Sequence, residues 1–247
     1  MDKISHMLFD LDNTLIKIPQ LGDYIKTLTL EYLWEEYNIE VKNEREIYQL
    51  FNSGKKYIKI LQKWGITDPM QFWHMFDEYD FKHRKKMLKT KDLVLYDDVV
   101  EVLDILKEKN IGMSVISNTA NAIANWEIDA FGLKSYFRKV VGLGDVQEEC
   151  KPEADGINRI LSEIGVSKKE IIYVGDSPID VSAAFNVGIF PIWIDRKDKF
   201  HEDTKNHAQR SKVMDILEKR GKNGDDILML YSLREIIPFI EEIRKKF

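Results

Sequence analysis

Apolar and polar residues alternate in two rhythms along this chain. Between about Gln20 and Thr90 the apolar positions recur every three or four residues, the spacing of amphipathic helices. Leu21–Tyr37 places Tyr24, Ile25, Leu28, Tyr32 and Leu33 on one stripe, and Glu44–Phe51, Lys55–Trp64 and Pro69–Tyr79 repeat the pattern. The same block concentrates Trp34, Trp64, Phe72, Trp73, Phe76, Tyr79 and Phe81, enough for a small core of its own.

From Leu93 onward, helices are expected to alternate with short apolar strands. The predicted helices are Asp97–Lys109, Ala120–Phe131, Ala154–Ile164 and Ile179–Asn186, with Asp97 or Asp98 placed to cap the first. The predicted strands are Ile111–Ile116, Lys139–Gly142, Ile171–Val174 and Ile189–Ile194, and Met7–Leu11 adds one before the helical block. Such alternation predicts an α/β fold, a doubly wound parallel sheet covered by helices on both faces. The helical block then reads as an insertion after the first strand. It would occupy residues 17–93, with residues 1–16 and 94–247 forming the core and hinges near Leu15–Leu21 and Lys91–Asp97. In the tail, Lys205–Lys219 reads as a surface helix, Asp226–Leu230 as a short strand and Ser232–Lys245 as a closing helix. Residues 197–225 are charged and carry no clear chemical signal.

Composition narrows the class. The 247 residues are 44% hydrophobic and 32% charged, the balance of a soluble globular protein. A net charge of -5 gives no electrostatic reason to expect nucleic acid or an anionic membrane as partner. Cys150 is the single cysteine, so an intramolecular disulfide is excluded and a reducing compartment is expected. No apolar run has the length of a membrane span, and the first residues lack the core of a signal peptide; the expectation is a cytoplasmic protein.

Four polar clusters interrupt this pattern at or near the ends of predicted strands, Lys151-Pro152 lying before the Ala154 helix. They are Asp10-Leu11-Asp12-Asn13-Thr14, Ser117-Asn118, Lys151-Pro152 and Gly175-Asp176-Ser177-Pro178-Ile179-Asp180. In an open parallel sheet ligands bind beyond the carboxyl ends of the strands, so the fold would gather these groups on one rim. Clustered carboxylates repel unless a cation neutralises them, and an all-oxygen set suits Mg²⁺ better than zinc. A lysine and hydroxyl donors beside such a metal suit a phosphoryl group.

These clusters, "DLDNT", "SN", "KP" and "GDSPID", resemble in order and separation motifs I to IV of the haloacid dehalogenase superfamily. The resemblance covers Leu8 to about Asp195, and "SLREIIPFIEEI" is similar to the closing segment of many members. It implies a Rossmann-like core with the helical block as a C1-type cap. It further implies that Asp10 is the nucleophile, forming an aspartyl-phosphate, and that Asp12 is the general acid and base. The Asp10 carboxylate, the Asp12 carbonyl and Asp176 would hold Mg²⁺. Ser117 and the Asn118 backbone N–H would bind phosphate, and Lys151 would offset the charge. Asp180 would stand behind them, joining the outer metal shell or orienting Lys151, and Thr14 would buttress the loop. A second aspartate favours ester cleavage over dehalogenation, since a halide leaves without a proton. The implied activity is a Mg²⁺-dependent phosphatase acting on a small phosphorylated metabolite. A phosphomutase of the same superfamily and a non-catalytic phosphate-binding regulator are the alternatives.

The remaining charged and aromatic features read as structural. Lys55 and Lys56 in "FNSGKKYIKIL" read as a helix-joining turn, and "KHRKK" (Lys82 to Lys86) as a solvated helix face. Trp64, Trp73 and Phe76 read as packing of the helical block. The five histidines show no metal-ligand spacing, and Cys150 reads as packing.

Overall fold

The computed structural model describes residues 3–196 and 203–245. The first strand, β1 (His6–Phe9), is followed by a two-residue strand, β2 (Ile16–Lys17). Four helices come next: α1 (Leu21–Tyr37), α2 (Glu44–Asn52), α3 (Tyr57–Lys63) and α4 (Pro69–Thr90). Strand β3 (Val94–Leu95) then pairs antiparallel with β2, Ile16 facing Leu95 and Lys17 facing Val94. The two crossings between helical block and sheet are therefore tied to each other. The sequence predicted connections there, not a ladder, because two residues are too few for a strand pattern.

The rest of the chain alternates as the pattern predicts: α5 (Val99–Glu108), β4 (Gly112–Ser117), α6 (Asn121–Ala130), β5 (Lys139–Gly142), α7 (Asp155–Ile164), β6 (Ile171–Gly175), α8 (Pro178–Val187), β7 (Phe190–Ile194), α9 (Asp203–Lys219), β8 (Leu228–Leu230) and α10 (Ile236–Lys245). Six strands form one parallel sheet in the order β5-β4-β1-β6-β7-β8. Successive side chains on a strand face opposite ways, and the two cores divide accordingly. Met7, Phe9, Met113, Val115, Ile172 and Val174 join a core packed by α5, α6 and α10. Leu8, Ile116, Ile171 and Tyr173 join another, packed by α7 and α8. The sheet is doubly wound. The inserted helices hold a further cluster around Leu28, Tyr32, Leu61, Phe72, Trp73 and Phe76, where Trp73 and Phe76 pack as expected.

Three expectations are corrected. Asp98 stands before α5, but its carboxylate caps nothing there; it accepts from Arg196 Nη1 at 2.6 Å, Ser232 Oγ at 2.6 Å and the Leu233 N–H at 2.8 Å. Asp97 instead pairs with Arg234 at 3.6 Å. A long-range brace has taken the side chain that local rules assign to the cap. Next, α4 does not stop at Tyr79: it runs from a cap at Asp68, whose carboxylate accepts the Gln71 N–H at 2.9 Å, to Lys91 in the left-handed conformation. Finally, "KHRKK" is not wholly solvated, because Arg84 is 2% exposed. Residues 197–202 of the stretch without a chemical signal lie outside the described residues. Among the described residues, no helix is long and apolar enough to cross a membrane.

Candidate active site

The strand order places the site. From β1 the chain moves to β4 and β5 on one side, then returns to β6 on the other. The reversal lies at the carboxyl end of β1, where a crevice opens in sheets of this kind. Asp10 follows β1, Ser117 ends β4 and Asp176 follows β6.

The loop after β1 is tightly folded. Thr14, Leu15 and Ile16 all point their N–H groups at the Leu11 carbonyl. Asn13 sits at φ 57°, a left-handed conformation that asparagine tolerates well, and its side chain accepts the Ile18 N–H at 3.1 Å. Thr14 is buried and donates to Asp10 Oδ2 at 3.3 Å. Arg196 Nη2 donates to the Thr14 carbonyl at 2.6 Å, linking this loop to the end of β7.

Lys151 crosses beneath the loop with its ammonium buried. It reaches Asp10 Oδ1 at 2.6 Å, Asp180 Oδ1 at 2.7 Å, the Tyr173 hydroxyl at 2.9 Å and the Ile116 carbonyl at 3.3 Å. Burial alone would lower its pKa, yet Asp10 and Asp180 raise it well above the lysine range. The lysine is therefore a fixed positive charge. The Asn118 side chain grips its backbone from both directions, accepting the Lys151 N–H at 2.8 Å and donating to the Lys151 carbonyl at 2.9 Å. Ser117 is buried, and its hydroxyl accepts the Thr119 N–H at 3.2 Å.

Asp180 serves its helix and the lysine together. With Ser177 it closes a capping box at the start of α8, the Ser177 N–H reaching Asp180 Oδ2 at 3.0 Å. Gly175 permits this, since a side chain there would overlap the Asp180 side chain. Carboxylate oxygens of Asp10, Asp176 and Asp180 lie within 4.8 Å of one another. Burial first, and repulsion from Asp180, push the Asp10 carboxyl up to about 7 against the pull of Lys151. Burial and the charges of Asp10 and Asp180 raise Asp176 well above the carboxylate range. Among the described residues the Asp176 carboxylate accepts no hydrogen bond. Three oxygens so close, one of them unpaired, fit a small hard cation.

The Asp12 carboxylate turns the other way. Arg84 holds it bidentately, Nη1 to Oδ1 at 2.8 Å and Nη2 to Oδ2 at 2.7 Å, and the Thr119 hydroxyl donates to Oδ2 at 3.0 Å. The same guanidinium binds Asp80 through Nε at 3.0 Å and Glu127 through Nη1 at 2.8 Å. Burial raises the Glu127 carboxyl to about 8 although Arg84 opposes it. Arg84, Asp80, Glu127, Thr119 and Tyr173 are thus site residues that the sequence reading missed. A signal for two of them was present: Phe72, Phe76, Asp80 and Arg84 recur every four residues, so they share one buried face of α4.

Above these groups lies a cavity of about 490 Å³. Asp10, Asp12, Ser117, Asn118, Lys151, Asp176 and Asp180 all line it; the inserted helices add apolar Ile25, Ile47, Phe51, Trp73 and Phe76 together with charged Lys26, Glu44 and Asp77. Lys55 faces away and pairs with Asp155 at 3.7 Å, in keeping with a structural turn. Cys150 is buried beside Leu143, and burial pushes its thiol up to about 12, in keeping with a packing role.

A buried lysine, an acid cluster suited to a cation and a hydroxyl at the switch point of a doubly wound sheet together suit an enzyme that handles oxyanions. Residues 7–194 match the family described as haloacid dehalogenase-like hydrolase. The chain belongs to that family and is an enzyme of its phosphatase branch. It is 29% identical over 185 residues to a pyrophosphatase PpaX from Listeria monocytogenes, a match covering 74% of this chain and 80% of that one. A phosphoglycolate phosphatase from Aquifex aeolicus is 27% identical, again over 74% and 80%. A haloacid dehalogenase-like family hydrolase from Streptococcus pneumoniae has the same fold, with a TM-score of 0.63, 16% identity and coverage of 97% and 99%.

Proposed function

We propose that this phosphatase hydrolyses a small phosphomonoester through an aspartyl-phosphate on Asp10, with Mg²⁺ as cofactor. The observation that carries the reading is the position of Asp10. Its carboxylate lies 2.6 Å from the buried Lys151 ammonium and beside Asp176 in the acid cluster, at the floor of the cavity.

Asp10 attacks phosphorus, and the ester oxygen leaves with a proton from Asp12. Asp12 then takes a proton from the water that cleaves the aspartyl-phosphate, restoring Asp10 and releasing phosphate. Ser117 and the Asn118 N–H bind the non-bridging oxygens, and Lys151 balances the charge gathered between nucleophile and substrate. The Asp10 carboxylate, the Asp12 carbonyl and Asp176 would hold Mg²⁺, which supplies Lewis-acid stabilisation of the phosphoryl charge. Asp180 orients Lys151 and borders the metal site. Residues 17–93 act as a cap that excludes water while the ester bond breaks. The helical insertion lines the cavity with apolar Ile25, Ile47, Phe51, Trp73 and Phe76 beside charged Lys26, Glu44 and Asp77, and the comparison of leaving groups decides which of these the substrate meets.

Phosphate release from an aryl phosphate tests this directly. We expect turnover that requires Mg²⁺ and disappears with chelator, and kcat/KM compared across alkyl phosphates, pyrophosphate and phosphoglycolate identifies the leaving group. Full release in chelator contradicts the metal assignment.

A further inference from the structure

A helix that belongs neither to the four polar clusters nor to the insertion also reaches the cavity. Between β7 and β8 the chain forms α9, 17 residues long where the preceding crossover, α8, has ten. A crossover helix runs back against its parallel strands, so its N-terminal half lies toward the rim where those strands end. The C-terminal half of α9 is fixed to the core. Val213 and Leu217 are buried against Val181 and Trp193, and Arg220 Nη2 donates to Asn186 Oδ1 of α8 at 2.6 Å. Gln209 stands one turn before Val213 at the same four-residue spacing, so it continues this packed face, and there it lines the cavity. Lys212 ties α9 to the inserted helices: its Nζ donates to the Tyr48 hydroxyl of α2 at 2.9 Å and lies 4.6 Å from the ring centre. Tyr48 lines the cavity, as does Glu44 one turn earlier, and Glu44 pairs with Lys26 of α1 at 3.4 Å. Lys26, Glu44, Tyr48 and Gln209 are thus a polar run in the lining, built from α1, α2 and α9. Among the described residues the Gln209 amide takes no hydrogen bond.

We propose that α9 is a wall of the substrate cavity and that Gln209 is a specificity-determining residue, hydrogen-bonding a hydroxyl on the leaving group of a polyol-type phosphate. The proposal rests on the phosphatase reading above and adds to it the substrate class. A primary amide offers donors and lone pairs together and carries no charge, which matches a hydroxyl that both donates and accepts. The charges of the lining disfavour a second anionic group. Among the described residues, both cations that the insertion adds already face carboxylates, Lys26 meeting Glu44 and Arg84 meeting Asp12, Asp80 and Glu127. Asp77 adds a further acid to the same lining. A neutral leaving group with hydroxyls finds partners here, whereas a bare alkyl chain leaves the amide without one.

The test compares esters that differ only in their hydroxyls. With the full chain and Mg²⁺, kcat and KM are measured for glycerol 3-phosphate beside propyl phosphate, and for sorbitol 6-phosphate beside hexyl phosphate. Wild type is expected to prefer the polyol ester of at least one pair. Gln209→Met keeps the length of the side chain and removes its donor and acceptor. Because Gln209 is exposed, folding should survive the change, and thermal unfolding checks that it does. In the variant the ratio of kcat/KM, polyol ester over alkyl ester, is expected to fall by about 3- to 10-fold, the worth of one neutral hydrogen bond. The change should lie in KM, as loss of uniform binding does. An unchanged ratio, or a fall in kcat on both esters of a pair with their ratio kept, would overturn the role assigned to Gln209. Wild type that prefers both alkyl esters would overturn the substrate class. Those outcomes leave the phosphatase reading intact. Absence of Mg²⁺-dependent release by wild type from every ester overturns that reading, and the inference with it.

Discussion

Lys151 shows how one residue organises the site. Its ammonium contacts four oxygens while Asn118 fixes its backbone, so its position depends on β1, β4, β6 and α8 together. An ionised lysine is stable in so buried a place because two carboxylates and two neutral acceptors replace its water. Asp180 completes the arrangement, and Gly175 leaves it room. We expect Gly175→Ala to cost about 1–3 kcal/mol, the usual range for overpacking, and also to lower kcat by displacing Asp180 from Lys151. Thermal unfolding and phosphate release, measured together, check this. Full activity in a stable Gly175→Ala protein would show that the close approach is dispensable.

Among the elements, the sheet depends on a buried polar pair in its central strands. His6 of β1 and Ser114 of β4 are both buried, and His6 Nε2 lies 3.0 Å from Ser114 Oγ. Burial, helped by the charge of Arg138, lowers the His6 imidazole from 6.5 to about 4. Between those values the unfolded chain binds a proton that the fold does not, so stability is present above pH 6.5 and is lost as pH falls toward 4. Denaturant midpoints at pH 7 and pH 4.5 should therefore differ more for wild type than for His6→Gln. Equal differences would mean that the imidazole does not feel the burial described.

Strands and helices of the core were legible because each has the right period and a clear stop, as in "IIYVGD" or the glycine at Gly165 after α7. The insertion was legible as helices, but α4 was cut short at Tyr79. Beyond that point its buried face carries Asp80 and Arg84, which a hydrophobicity pattern scores as solvent. The same substitution of charge for apolar contact hid Arg84 within "KHRKK". Asp98 misled for a related reason: a carboxylate before a helix reads as a cap, and nothing local announces Arg196, almost a hundred residues away. The four polar clusters were legible since three sit at strand ends and Lys151-Pro152 stands just before a helix. Their cross-links, Asn118 to the Lys151 backbone and Tyr173 to its ammonium, are tertiary and leave no mark in spacing.

On the scale of the whole molecule, two bodies of structure meet over one rim. The parallel sheet supplies Asp10, Ser117 and Asp176 from strand ends that the topology makes neighbours, the segment before α7 supplies Lys151, and the helical insertion supplies Arg84 and a wall of apolar and charged side chains. The cation-seeking acid cluster and the buried lysine belong to the core alone, which is where the proposed chemistry begins. The central claim is that this chemistry passes through Asp10. Asp10→Asn removes the nucleophilic charge with little change of shape, and the measurement is Mg²⁺-dependent phosphate release by this variant beside wild type, with folding verified by circular dichroism. The account predicts a loss of about 10⁴-fold or more, as removal of a covalent nucleophile produces elsewhere. Release within about tenfold of wild type would contradict it.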